Sequence, residues 1–96
     1  MSVHPDHHLA AQVAEDALRS VFEPQAVSAL REDSPLAAIG LTSADVVCVA
    51  DAVAQAAVDR GFTCVLDDAA MENVETVADL VRAITEAAAQ SEEDHA

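Results

Sequence analysis

The sequence predicts an all-α fold, a small four-helix bundle of three main helices and one short helix, with a long connection between the first two main helices. Three observations carry this. Apolar residues recur at helical spacing in three stretches, each preceded by a residue able to cap a helix. Hydrophobic residues make up 52% of the 96 residues but aromatics only 2%. The core must therefore be built from Ala, Val, Leu and Ile, which suits close-packed helices better than a sandwich. Two glycines and three prolines interrupt the chain, so its elements should be few and long.

In the first stretch, Leu9, Val13, Ala14, Ala17, Leu18 and Val21 share one side, and Glu15, Asp16 and Arg19 take the other. A helix from about residue 7 to 22 follows, with Asp6 as its cap. His4, His7 and His8 lie close together near the start, yet no cysteine or paired carboxylate completes a metal site. Residues 1–8 are read as a flexible tail before a helical domain over 9–89. Glu23-Pro24 ends the first helix, because the residue before proline is pushed out of the helical region. Pro24 is placed to start a short turn carrying Val27 and Leu30, and Arg31 to Pro35 is turn chemistry.

The second main helix should run from Ser43 to about Arg60, with Gly61 as its stop. Val46, Val49, Ala50, Val53, Ala56 and Ala57 form its inward stripe, which leaves Ala44, Val47, Cys48, Asp51, Gln55 and Asp59 facing outward. Phe62 to Leu66 is β-prone but too short and isolated for a sheet. It is expected to run extended, packing Phe62, Cys64 and Leu66 on the bundle. Asp67 to Glu72 reads as a short capped helix. Thr76 and Asp79 cap the last helix, whose stripe is Val77, Leu80, Val81 and Ile84. That helix should fade after Ala89, leaving 90–96 as a flexible acidic tail.

Eighteen acidic residues stand against four arginines and no lysine, a formal net charge of −14. Nucleic acid needs the opposite sign and is excluded as a partner. Such acidity suits encounters with basic protein surfaces, and equally keeps a small apolar-rich domain soluble. Cys48 and Cys64 have neither zinc-site spacing nor a disulfide framework. No leader pattern and no membrane-spanning run is present, so a monomeric cytoplasmic protein with reduced thiols and no membrane partner is expected.

The chain is organised around Ile39-Gly40-Leu41-Thr42-Ser43-Ala44-Asp45-Val46-Val47. Gly40 supplies a backbone freedom that a tight turn needs, and Thr42 with Asp45 stands in the order of a capping box. Ser43 is then the first residue inside a helix, exposed at the positive end of the dipole, where an attached phosphate is well tolerated. Most serines in such positions are caps or solvated hydroxyls and nothing more. No Ser/His/Asp constellation accompanies it, which argues against a hydrolase.

The run from Asp33 to Val47 resembles the approach to the modified serine of acyl carrier proteins, and the run from Val74 to Ile84 is similar to that family's last helix. With the helix before them, these stretches cover about Leu9 to Ile84. The resemblance implies a discrete carrier, not an enzyme, in which a phosphopantetheinyl transferase, using coenzyme A and a divalent metal, attaches 4′-phosphopantetheine to Ser43. An acyl, aminoacyl or polyketide chain is then held as a thioester. Acyl- or aminoacyl-loading enzymes, a ketosynthase and other thioester-using enzymes are the implied partners, in fatty-acid-like or natural-product biosynthesis. Docking would fall on Thr42, Ala44, Val47, Cys48 and Asp51 at the outer face of the second main helix. The family's Asp-Ser-Leu triplet is Thr42-Ser43-Ala44 here, and its dense acidic helix face is more apolar. Asp33-Ser34 superficially copies the family's Asp-Ser pair, but Pro35 follows and no helix opens there. The alternative is an unmodified, carrier-like acidic docking or scaffold protein.

Overall fold

The computed structural model describes residues 6–93, with side chains described as far as residue 89. Among them are five α-helices and no strand: α1 (His7–Val21), α2 (Pro24–Ser28), α3 (Ser43–Asp59), α4 (Asp68–Glu72) and α5 (Val77–Glu93). The three long helices are those the apolar spacing predicts. α1 lies at the centre of the arrangement, packing against both α3 and α5.

α1 forms where its cap and stripe coincide. The Asp6 carboxylate accepts the Leu9 amide at 2.8 Å, and Ala10, Val13, Ala14, Ala17 and Leu18 are buried. These positions repeat at three- and four-residue steps, so one face is covered while Glu15 and Arg19 pair in solvent on another. Small residues on this face let helices approach closely on two sides. α1 begins at His7, where the sequence predicts the helix to begin, so His7 and His8 of the expected tail are helical. The expectation for residues 1–5 lies outside the described residues, His4 among them.

The connection after α2 does not run free over the surface. Its backbone is stitched to the opening of α5: the Leu36 amide donates to the Glu75 carbonyl at 2.8 Å, Val77 to Ser34 at 3.3 Å and Ala78 to Glu32 at 2.8 Å. A helix leaves its first four amides without internal partners, and here two of those of α5 are satisfied by the connection. The stitch seats the fully buried Leu36, which begins a 3-10 turn over Leu36–Ile39. Gly40 closes that turn with φ 87°, a left-handed conformation that strains any residue with a Cβ.

In α3 the inward stripe is narrower than its six expected members. Val49, Val53 and Ala57 are buried, whereas Val46, Ala50 and Ala56 on its flanks are half-buried. The helix ends at Asp59, and Gly61 takes φ 93° just beyond it. Arg60, at the cap, reaches α1 to donate to Gln12 at 3.0 Å and to pair with Asp16.

From residue 62 to 66 the chain is extended, burying Phe62, Cys64 and Leu66 and exposing Thr63 and Val65, the alternation the sequence predicts. Asp67 then caps α4 through the Ala70 amide at 2.8 Å. Thr76 accepts the Asp79 amide at 3.2 Å while Asp79 accepts the Thr76 amide at 3.2 Å, closing the mouth of α5. Leu80, Val81, Ile84 and Ala88 complete the core. The expected end of this helix at Ala89 is corrected to Glu93. Gln90-Ser91-Glu92-Glu93 adds no apolar repeat, but it holds no glycine or proline either, so nothing breaks the helical backbone there.

Candidate functional site

The mouth of α3 is built from a turn, a cap and one exposed hydroxyl. Leu36 anchors the turn in the core, half-buried Ile39 and Leu41 flank Gly40, and the chain enters the helix through Thr42 in extended conformation. Thr42 Oγ1 accepts the Asp45 amide at 3.4 Å and donates to the Asp45 carboxylate at 3.0 Å. The same carboxylate accepts the Thr42 amide at 3.1 Å. This is a full capping box with Asp in the place more often held by Glu or Gln.

Because Thr42 and Asp45 satisfy each other, the cap does not draw on the Ser43 side chain. Ser43 is exposed and is the first residue of α3. The Asp45 and Val46 amides both reach the Thr42 carbonyl, at 3.0 and 3.1 Å. The Ser43 and Ala44 amides are left at the positive end of the helix, where a phosphate group is stabilised.

The remaining predicted residues share a face with this mouth. Ala44, Val47, Cys48 and Asp51 follow one another at steps of three, one and three residues, and all four are exposed. Val47 keeps 58% of its surface in solvent, an apolar spot one turn from Ser43. Ser34, by contrast, is bound into its turn, its hydroxyl accepting the Arg31 amide at 2.8 Å.

The two cysteines differ in kind. Cys64 is buried with its sulfur 3.7 Å from the Ile84 carbonyl, and desolvation pushes its thiol up to about 11. A thiol held protonated in this way is a packing residue. Cys48 stands on the outer face of α3. His7 approaches Glu32 at 3.5 Å and His8 approaches Gln12 at 3.1 Å, in separate contacts. Among the described residues no three His, Cys, Asp or Glu side chains gather to hold a metal ion.

Two features were not anticipated from the sequence. One is the clasp of Arg60 on Gln12 and Asp16, for which the only signal was an arginine beside the stop glycine. The other is a groove between α4 and α5 lined by Arg82 and flanked by Val65. No helix among the described residues is long and apolar enough to cross a membrane. No family model, curated protein or solved structure matches this chain.

Proposed function

We propose that this chain is a carrier protein whose Ser43 hydroxyl is esterified with 4′-phosphopantetheine, so that an acyl, aminoacyl or polyketide chain is presented as a thioester to partner enzymes. The observation that carries the reading is an exposed serine at the first position of a 17-residue helix whose cap is completed by its neighbours. Such a hydroxyl is accessible to a transferase and rigidly held, the two requirements for an attachment point. The residues fit the group: Thr42 and Asp45 leave Ser43 free, and the first-turn amides favour a phosphodiester oxygen.

In the attachment the Ser43 oxygen displaces the adenosine bisphosphate portion of coenzyme A from the phosphate next to pantetheine, and its proton passes to a base on the transferase. The chain itself contributes the nucleophile and its orientation. The arm, once bound, supplies the thiol that carries the thioester. Val47 and Ala44 offer an apolar surface beside the attachment point, with the Asp45 carboxylate in the cap and Asp51 one turn beyond Val47 as the nearby charges.

Incubation with a broad-specificity phosphopantetheinyl transferase, coenzyme A and magnesium, followed by intact mass measurement, tests the reading. The wild-type chain is expected to gain one phosphopantetheine and Ser43→Ala none. An unchanged wild-type mass, with the transferase active on a control carrier, overturns modification. It would favour the unmodified docking protein, a reading to which the Thr42-Ser43-Ala44 triplet itself lends weight.

A further inference from the structure

The groove between α4 and α5 lies apart from the residues assigned to the attachment site. Half of its ten lining residues are apolar: Val65 before α4, Ala70 within it, Val74 just after it, and Ala83 and Ala87 from α5; Asp67, Asn73, Asp79, Arg82 and Glu86 make up the polar half. Val65, carried on the extended segment, stands beside them with 67% of its surface exposed. The alternation that buries Phe62, Cys64 and Leu66 leaves this valine pointing away from the core. An aliphatic side chain in solvent beside half-buried Val74, Ala83 and Ala87, with carboxylates around them, suits a partner that is itself amphipathic.

Charge and size narrow the occupant. Asp67, Asp79 and Glu86 line the groove against the single guanidinium of Arg82, which makes it a negative rim within a chain of formal charge −14. A second copy of the chain would bring the same charge and be repelled. The groove measures about 260 Å³. That is below the roughly 300–1,000 Å³ of sites that enclose drug-sized molecules, so a few side chains are a better match than a whole cofactor.

We propose that this groove docks a basic amphipathic helix of a partner protein, its apolar side chains covering Val65, Val74 and Ala87 and its Lys or Arg residues meeting Asp67 and Glu86. The interaction uses neither Ser43 nor a group attached to it, so it stands whether or not the chain is a carrier. Asp67 and Asp79 are held in place by their caps, with Asp67 accepting the Ala70 amide and Asp79 those of Glu75 and Thr76. The exposed Asp67 charge is therefore presented at a fixed position to an incoming cation, which favours orientation of the partner as well as attraction, whereas half-buried Asp79 is engaged by its cap and by Arg82.

The test is an amide-resolved NMR titration of the unmodified full chain with synthetic helical peptides. One carries leucines on one face and arginines on the other; a second keeps the arginines and replaces leucine by serine. The leucine peptide is expected to shift, saturably, the amides of residues 65–67, 70–74 and 82–87. Val65→Ser should weaken it by about ten-fold, the worth of one aliphatic side chain removed from water. Glu86→Gln should weaken it by roughly three-fold and Asp33→Asn, in the connection, should leave it unchanged. Equal binding of the serine peptide, shifts centred on α3, or no binding of the leucine peptide would each overturn the proposal.

Discussion

Thr42 and Asp45 hold each other across the first turn of α3, each accepting the other's backbone amide. The pair fixes where the helix begins, and with it the position of the exposed Ser43 between them in sequence. Thr42→Ala should cost about 1 kcal/mol of stability, the usual loss for a helix cap, while Thr42→Ser should retain most of it. Urea unfolding of the three proteins checks this, with equal midpoints for wild type and Thr42→Ala contradicting it.

The stitch between the connection and α5 should be separable from the helix itself. Proline is tolerated in the first turn of a helix, so Ala78→Pro removes the donor to Glu32 without breaking α5. A loss of about 0.5–1.5 kcal/mol is expected, the net worth of one hydrogen bond. Hydrogen exchange at the Leu36 amide, which donates to Glu75, should quicken in this variant.

Burial of Cys64 predicts a particular alkaline sensitivity. Desolvation raises its folded thiol to about 11, from the ordinary thiol value of 9.0. Between these values the unfolded chain releases a proton that the folded chain keeps, so stability falls as pH rises from about 9 towards 11. The loss should be absent from Cys64→Ala, though that variant starts from a lower stability because a buried side chain is trimmed. Thermal unfolding at pH 8 and pH 10 compares the two proteins. A parallel decline in both would show that Cys64 is not its source.

Core and surface contacts should separate by size of effect. Leu80 is fully buried, and Leu80→Ala should cost about 2–5 kcal/mol through lost burial and the cavity left behind. Arg60 joins α3 to α1 through partly exposed partners, and Arg60→Ala should cost no more than about 1 kcal/mol. Chemical denaturation of each variant checks the order, and a reversed ranking would relocate the bundle's main support.

Much of this arrangement was legible in the residues. Apolar spacing places the three long helices, Asp6, Thr42, Asp67 and Thr76 mark where four helices begin, and the alternation from Phe62 to Leu66 foretells which side is covered. These are local patterns, set by one residue's effect on its own turn or strand. The stitch of Glu32, Ser34 and Leu36 to the start of α5 was not legible, since backbone groups pair without any side-chain signature. The last turn of α5 was missed for a related reason: polar residues without a breaker continue a helix but show no apolar period. The α4–α5 groove arises only when Val65 and Ala83, distant in sequence, are brought beside each other. For Ser43, sequence reasoning could propose its exposure and its position in the helix, and both are seen.

Everything proposed about carriage depends on which hydroxyl a transferase can reach. After incubation with phosphopantetheinyl transferase and coenzyme A, fragmentation of the protein by mass spectrometry should locate the added group on Ser43, with Ser34 unmodified. A group found on Ser34, or an unmodified Ser43 under conditions that load a control carrier fully, would contradict the assignment.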